Sequence, residues 1–184
     1  MTSPTPTFLQ IDLQNLFFEA RNLGEKIDFE KIWSYFHSRD AEFLNEAIIY
    51  MVRSDAFDSS KFETKIQEIG YNVVTKNAVK MTRDDGSFYY RNTNLDIEIA
   101  VDCMARLDKF EKWILFSGDG DFLYLCKQAR QMGKKVEIWS FKECYNSKLD
   151  SYADKIHFID KQFFYKEPKI KVFGFAPGYN NQGL

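Results

Sequence analysis

The sequence predicts an α/β domain with a central, mainly parallel sheet covered by helices on both faces. Three observations lead there. Segments with helical apolar spacing alternate with short apolar runs along almost the whole chain. The runs are apolar at consecutive residues, as strands buried on both faces are. Acids stand at or just beyond the ends of these runs, where an open parallel sheet places its ligands. With 184 residues, 45% hydrophobic and 17% aromatic, the chain suits one domain with a large core.

The elements follow in order. FLQID (Phe8 to Asp12) is a short apolar strand ending in an acid. Lys26 to Arg39 places Ile27, Ile32, Trp33 and Phe36 at helical spacing. Glu46 to Val52, EAIIYMV, reads as a buried strand. Ser59 to Gly70 is a helix expected to start on a Ser cap and stop at glycine, and YNVVTK after it is a strand. Val79 to Asn92 carries Asp85-Gly86 between β-prone arms, the signal of a hairpin. Asp96 to Leu107 is a helix, WILFS a strand, Asp121 to Gly133 a helix and KVEIWSF a strand. A short helix around SKLDSYAD and a strand from His157 to Asp160 close the series.

The ends read differently. Residues 1–7, MTSPTPT, are expected to form a flexible leader without the apolar segment of a signal peptide. Residues 165–184 lose helical periodicity and are expected to form a tail, part of which docks through its aromatic VFGF. No apolar stretch approaches the roughly 20 residues needed to span a bilayer, so no membrane partner is expected. Cys103, Cys126 and Cys144 form no CxxC pair; they fit reduced thiols and a cytoplasmic protein, and argue against a cysteine zinc site. A net charge of -2 means that any nucleic acid must be held by a local basic face.

ILFSGDGDFLYL, Ile114 to Leu125, holds the most informative motif. A strand stops at Ser117, presents Asp119 and Asp121, and resumes as a helix. Asp121 is expected to cap that helix and Asp96 its own, which leaves Asp119 as a second acid without a structural use. If the first and fourth full strands are neighbours, Asp12, Asp96, Asp119 and Asp121 converge on one edge of the sheet. Such convergence calls for a positive centre, and a hard divalent ion, Mg²⁺ or Mn²⁺, prefers oxygen ligands and keeps several waters. One or two such ions serve phosphodiester hydrolysis. Asn15 and Ser117 stand beside the acids, able to orient a carboxylate or a ligand water, though both are also ordinary turn residues. Asp102 is matched by Arg106 four residues on, an ion-pair spacing on a helix.

Substrate-binding cations are expected on the hairpin, where Lys80, Arg83 and Arg91 interleave with Phe88, Tyr89 and Tyr90. Lys127 and Arg130, with Lys134 and Lys135, form a second basic group that also reads as a solvated helix face. A phosphatase of the haloacid dehalogenase type would need an acid two residues after Asp12, where Gln14 stands.

FLQIDLQNLFF, NLDIEIAVDCM and ILFSGDGDFLYLCKQARQMGKKVEIWSF, in this order, resemble the NYN (LabA-like) family of the PIN-like nuclease superfamily over roughly Phe8 to Asp160. The resemblance implies a PIN-like three-layer α/β/α fold, with the hairpin and the tail as additions, and a metal-dependent ribonuclease site. By motif, Asp12 and Asn15 match the family's D-x-x-N opening, Asp96 the acid of the middle helix, and Asp119 and Asp121 the S-G-D-x-D-F acids. Asp102 matches a second acid often present in the middle helix. Thr93-Asn94 stands where the family often has Lys-Gly. The function implied is endonuclease-type cleavage of single-stranded RNA. The alternative is a PIN-like domain that binds RNA or protein without appreciable catalysis, and a homodimer is open in either case.

Overall fold

The computed structural model describes residues 4–38, 42–91 and 93–166. The expected tail from residue 167 onward and residues 1–3 of the expected leader lie outside the described residues. In chain order the elements are β1 (Thr5–Asp12), α1 (Leu13–Asn22), α2 (Phe29–His37), β2 (Glu42–Arg53), α3 (Ser60–Ile69) and β3 (Asn72–Asn77). Then come β4 (Lys80–Thr82), β5 (Phe88–Tyr90), α4 (Asp96–Ala105), β6 (Lys112–Phe116), α5 (Leu123–Gln131), β7 (Lys135–Ser140) and β8 (Lys155–Phe158).

Six strands form one parallel sheet in the order β3-β2-β1-β6-β7-β8, and β4-β5 is a separate antiparallel hairpin. The chain winds outward from β1 through β2 and β3, then returns to the other side of β1 as β6. The order of strands therefore reverses between β1 and β6, and the crevice at their carboxyl ends is where open parallel sheets bind ligands. Phe8 pairs with Trp113 and Ile11 with Phe116, so the ends of β1 and β6 lie level.

Each face of the sheet is sealed by its own apolar cluster. Leu9, Ile11, Ile49, Ile114, Phe116 and Trp139 meet Leu16, Ile32, Phe36 and Ile66 of the helices α1, α2 and α3. Phe8, Ile48, Trp113, Leu115 and Ile138 point the other way, onto Ile99 and Cys103 of α4 and Leu125, Cys126 and Ala129 of α5. That alternation explains why β1, β2, β6 and β7 are apolar at successive positions. Burying each large side chain removes it from water at a gain of about 1.5–3 kcal/mol.

Three local expectations change. Thr5 to Thr7 belong to β1 and not to a flexible leader, because they pair with Glu42 to Leu44 of β2. Helix α1 was not expected; Asp12 caps it, and Leu13, Leu16 and Ala20 are buried, while the adjacent rings of Phe17 and Phe18 blur its period. Ser59 does not cap α3 with its side chain: its hydroxyl donates to Glu63 at 2.6 Å, and Asp58 accepts the Ser60 amide instead. No helix among the described residues is long and apolar enough to cross a membrane.

Lys112 and Glu137 form a buried ion pair at 3.0 Å, with His157 Nε2 3.5 Å from the other carboxylate oxygen. Burial by itself would raise the Glu137 carboxyl, but His157 and Lys112 outweigh it and hold the group down at about 2, below its ordinary 4.5. A carboxyl depressed by folding stabilises fully above its unfolded value, and that stabilisation fades as pH falls through the folded one. Glu137→Gln should therefore lower unfolding free energy by on the order of 1–2 kcal/mol at pH 6, allowing for solvent screening, and the deficit should shrink between about pH 4.5 and 2. Urea denaturation of both proteins across that range measures it.

Candidate metal centre

The crevice is built by polar links between the ends of β1 and β6. Asp12 closes β1 and accepts the Asn15 amide at 3.2 Å, which starts α1; its other oxygen accepts the Ser117 hydroxyl at 3.2 Å. Asn15 in turn accepts the Gly118 amide at 3.1 Å with its side-chain oxygen. The two corners thus hold each other. Beyond Ser117 the backbone is kept in a tight turn: the Asp119 amide donates to Ser117 Oγ at 3.3 Å, and Asp119 Oδ1 accepts the Asp121 amide at 2.9 Å.

The glycines of this turn are required by close approach. The Gly118 carbonyl accepts the Asn146 amide at 3.0 Å, and a Cβ on Gly118 would lie 2.7 Å from the Cys144 carbonyl oxygen. A Cβ on Gly120 would lie 2.9 Å from Asn146 Cγ. Residues 144–146 therefore press the acidic turn from behind, and no side chain fits between.

Asp96 opens α4 from the neighbouring loop. Its carboxylate accepts the Asn94 side-chain amide, and the helix starts without a side-chain cap. One carboxylate oxygen each of Asp96, Asp119 and Asp121 lies within 4.8 Å of the others. Among the described residues no lysine or arginine is paired with any of the three. Burial, then the charges of Asp12, Asp119, Asp121 and Glu98, push the Asp96 carboxyl up to about 7. Burial also raises Asp12, to about 6, against the bonds from Asn15 and Ser117 that favour its charged form, with Asp119 adding to the rise. A crevice of hard oxygen donors that repel one another fits a hard divalent cation better than any side-chain partner in reach.

The hairpin β4–β5 precedes Asp96 in the chain. Lys80 Nζ lies 4.0 Å from the centre of the Phe88 ring and 3.6 Å from an Asp55 oxygen; the Arg83 guanidinium lies 4.7 Å from the Tyr89 ring centre. Phe88 and Tyr89 are exposed, as is Arg91. On α5, Arg130 pairs with Asp154 at 3.1 Å, and Lys127 is half-buried.

The sequence pattern of the NYN domain matches residues 6–160. The chain belongs to the NYN domain family. It is 33% identical over 180 residues to the Low amplitude and bright protein LabA of Synechococcus elongatus, a match that spans 95% of each chain. The crystal structure of a protein of unknown function from Vibrio parahaemolyticus superposes with a TM-score of 0.75 at 25% identity, covering 90% of this chain and all of the other. NYN domains are of the PIN-like, nuclease type; they are RNA-associated, and PIN-like nucleases typically use divalent metals.

Within this NYN domain the structure reassigns several residues. Asp96, Asp119 and Asp121 come together, while Asp12 borders them and is turned toward Asn15 and Ser117. The capping roles are reversed: Asp119 caps the turn at Gly120–Phe122, Asp121 is exposed, and Asp96 sits inside its helix and not at the cap. Asp102 lies about 9 Å further along α4. Its carboxylate is taken by Arg106 at 2.5 Å and the Tyr50 hydroxyl at 2.8 Å, so it is not itself among the converging acids. Tyr90 is buried with its hydroxyl on Asp55, which removes it from the surface available for base stacking.

Glu98, which with Asp102 and Arg106 reads from the sequence as the polar stripe of α4, is a further acid whose charge acts on Asp96, and it is tied to Lys76 at 2.9 Å. Gln10, buried in β1, carries no signal in the sequence.

Two outcomes follow from this geometry. Asp96→Asn should raise the melting temperature of metal-free protein, because it removes a repelled charge worth on the order of 1 kcal/mol after screening. Gly118→Ala should lower unfolding free energy by about 1–3 kcal/mol through overpacking against Cys144 and Ser140, measured by urea titration.

Proposed function

We propose that this NYN domain is a divalent-metal-dependent ribonuclease that cleaves single-stranded RNA internally by phosphodiester hydrolysis, with a cytoplasmic location. The observation that carries the reading is the approach of the Asp96, Asp119 and Asp121 oxygens within 4.8 Å at the crevice where strand order reverses.

Asp96, Asp119 and Asp121 would hold Mg²⁺ or Mn²⁺, and Asp12 would complete the set. The bound cation would supply positive charge that makes water more acidic and offsets charge on the leaving oxygen. The protein's own contribution is placement. Ser117 and Asn15 fix the Asp12 carboxylate and the Gly118 backbone, so the acids need not reorganise when substrate arrives. Water adds to phosphorus as the bond to the departing sugar oxygen breaks, and a crevice carboxylate accepts the proton that water loses.

Single-stranded RNA is favoured by the hairpin. Phe88 and Tyr89 offer exposed rings to unpaired bases, and Lys80, Arg83 and Arg91 supply charge for phosphates, with Lys127 and Arg130 of α5 as further cations. A second reading, an RNA- or protein-binding domain without cleavage, draws on the pairing of Lys80 with Asp55 and of Arg130 with Asp154. Those carboxylates reduce the net charge available to a polyanion.

Internally labelled single-stranded RNA should be cut by the pure protein in Mn²⁺ and left intact in EDTA. Asp119→Asn should slow cleavage by about 100-fold or more while retaining the fold, since an asparagine oxygen still accepts the Asp121 amide. RNA retained in EDTA with no cleavage in Mn²⁺ would establish the second reading instead.

A further inference from the structure

Gln10 is fully buried in the centre of the sheet, level with Ile48 of β2 and Leu115 of β6 in an otherwise apolar layer. Its amide makes three hydrogen bonds. Gln10 Oε1 accepts the Trp113 indole N–H at 2.8 Å; Gln10 Nε2 donates to the Tyr50 hydroxyl at 2.6 Å and to the Ile99 carbonyl at 3.1 Å. The indole only donates, so it fixes which end of the amide faces it and leaves the NH₂ for the other two. Tyr50, accepting from Gln10, gives its own proton to Asp102 at 2.8 Å. The polar chain therefore runs in one direction from β6 through β1 and β2 to α4.

A leucine would satisfy the core at less cost than a buried amide. What the amide adds is a grip on α4 at two points, the Ile99 carbonyl directly and Asp102 through Tyr50. Apolar packing holds this helix weakly: it buries Ile99 and Cys103, whereas Ile97 is 71% and Val101 60% exposed, and no side chain caps its start. Asp96 is its first residue, so a slide or tilt of α4 moves the Asp96 carboxylate relative to Asp119 and Asp121.

We propose that Gln10 is the positioning residue that sets α4 against the sheet and thereby holds Asp96 in reach of the other two acids. The inference rests on the reading of the three acids as a cation site. It makes Gln10 a determinant of metal affinity without contact to the metal.

The experiment is Mn²⁺ titration calorimetry on the full chain, comparing wild type, Gln10→Met, Asp96→Asn and the double variant, with hydrogen exchange on the metal-free proteins. Gln10→Met should weaken Mn²⁺ binding about 10-fold. In the Asp96→Asn background the same change should alter it by less than about 2-fold, since the ligand through which Gln10 acts is gone. Amides of α4 should exchange faster in Gln10→Met while those of α5 stay as in wild type. Should Gln10→Met fail to fold, Tyr50→Phe removes the Asp102 link together with one acceptor of the Gln10 amide and leaves the bond to Ile99, and a roughly 3-fold weakening of Mn²⁺ binding is expected. Wild-type uptake that these core variants leave unchanged, or an equal loss with and without Asp96, overturns the proposal alone. Wild-type protein that takes up no Mn²⁺ overturns the cation-site reading as well.

Discussion

Repulsion between carboxylates at the mouth of the β1–β6 crevice is the constraint around which this edge of the molecule is organised. Three acids with oxygens within 4.8 Å of each other would separate if their loops were free to move. They are kept together because each is mounted on a backbone that hydrogen bonds hold elsewhere: the Asp12 corner to Ser117, the glycine turn to Asn146, and α4 to the sheet. Burial first, and the neighbouring carboxylates after it, raise the Asp96 and Asp12 carboxyls.

The two sides of the sheet contribute differently. Around α1, α2 and α3 the seal is dominated by aromatic and aliphatic contacts, including the parallel stack of Phe116 on Trp139. On the α4 side an internal polar chain continues from Trp113 to Asp102 and on through Arg106 to Glu46. The apolar side gives stability, and the polar side gives registration, since a hydrogen bond tolerates far less displacement than a methyl contact does.

The architecture was largely legible because strands buried on both faces leave uninterrupted apolar runs, and helices between them keep their period. Helix α1 was not, since the paired rings of Phe17 and Phe18 interrupt the apolar spacing and its cap, Asp12, was already assigned to the end of a strand. The convergence of Asp96, Asp119 and Asp121 was legible from their places along the chain, but not the turning of Asp12 toward Asn15 and Ser117, nor which acid caps a turn: Asp119 and Asp121 are chemically equivalent, and backbone geometry alone makes Asp119 the acceptor. Tyr90 looked like its exposed neighbours because alternation in a short hairpin does not say which ring will meet Asp55. Gln10 was invisible for a deeper reason. Its partners stand 40, 89 and 103 positions away, and only their convergence gives the amide a purpose.

The level pairing of β1 with β6 also bears on how the molecule assembles. Asp12 and Ser117 are 105 residues apart in the chain, so closing the crevice requires the central strand to capture one made from the later part of the polypeptide. Contacts of such long range are slow to form and rewarded late. A partly folded chain that has joined β1, β2 and β3 but not β6 carries Asp12 alone, with the opposing wall missing. Convergence of the acids would thus report that β6 has joined β1, and intermediates without β6 would lack the crevice.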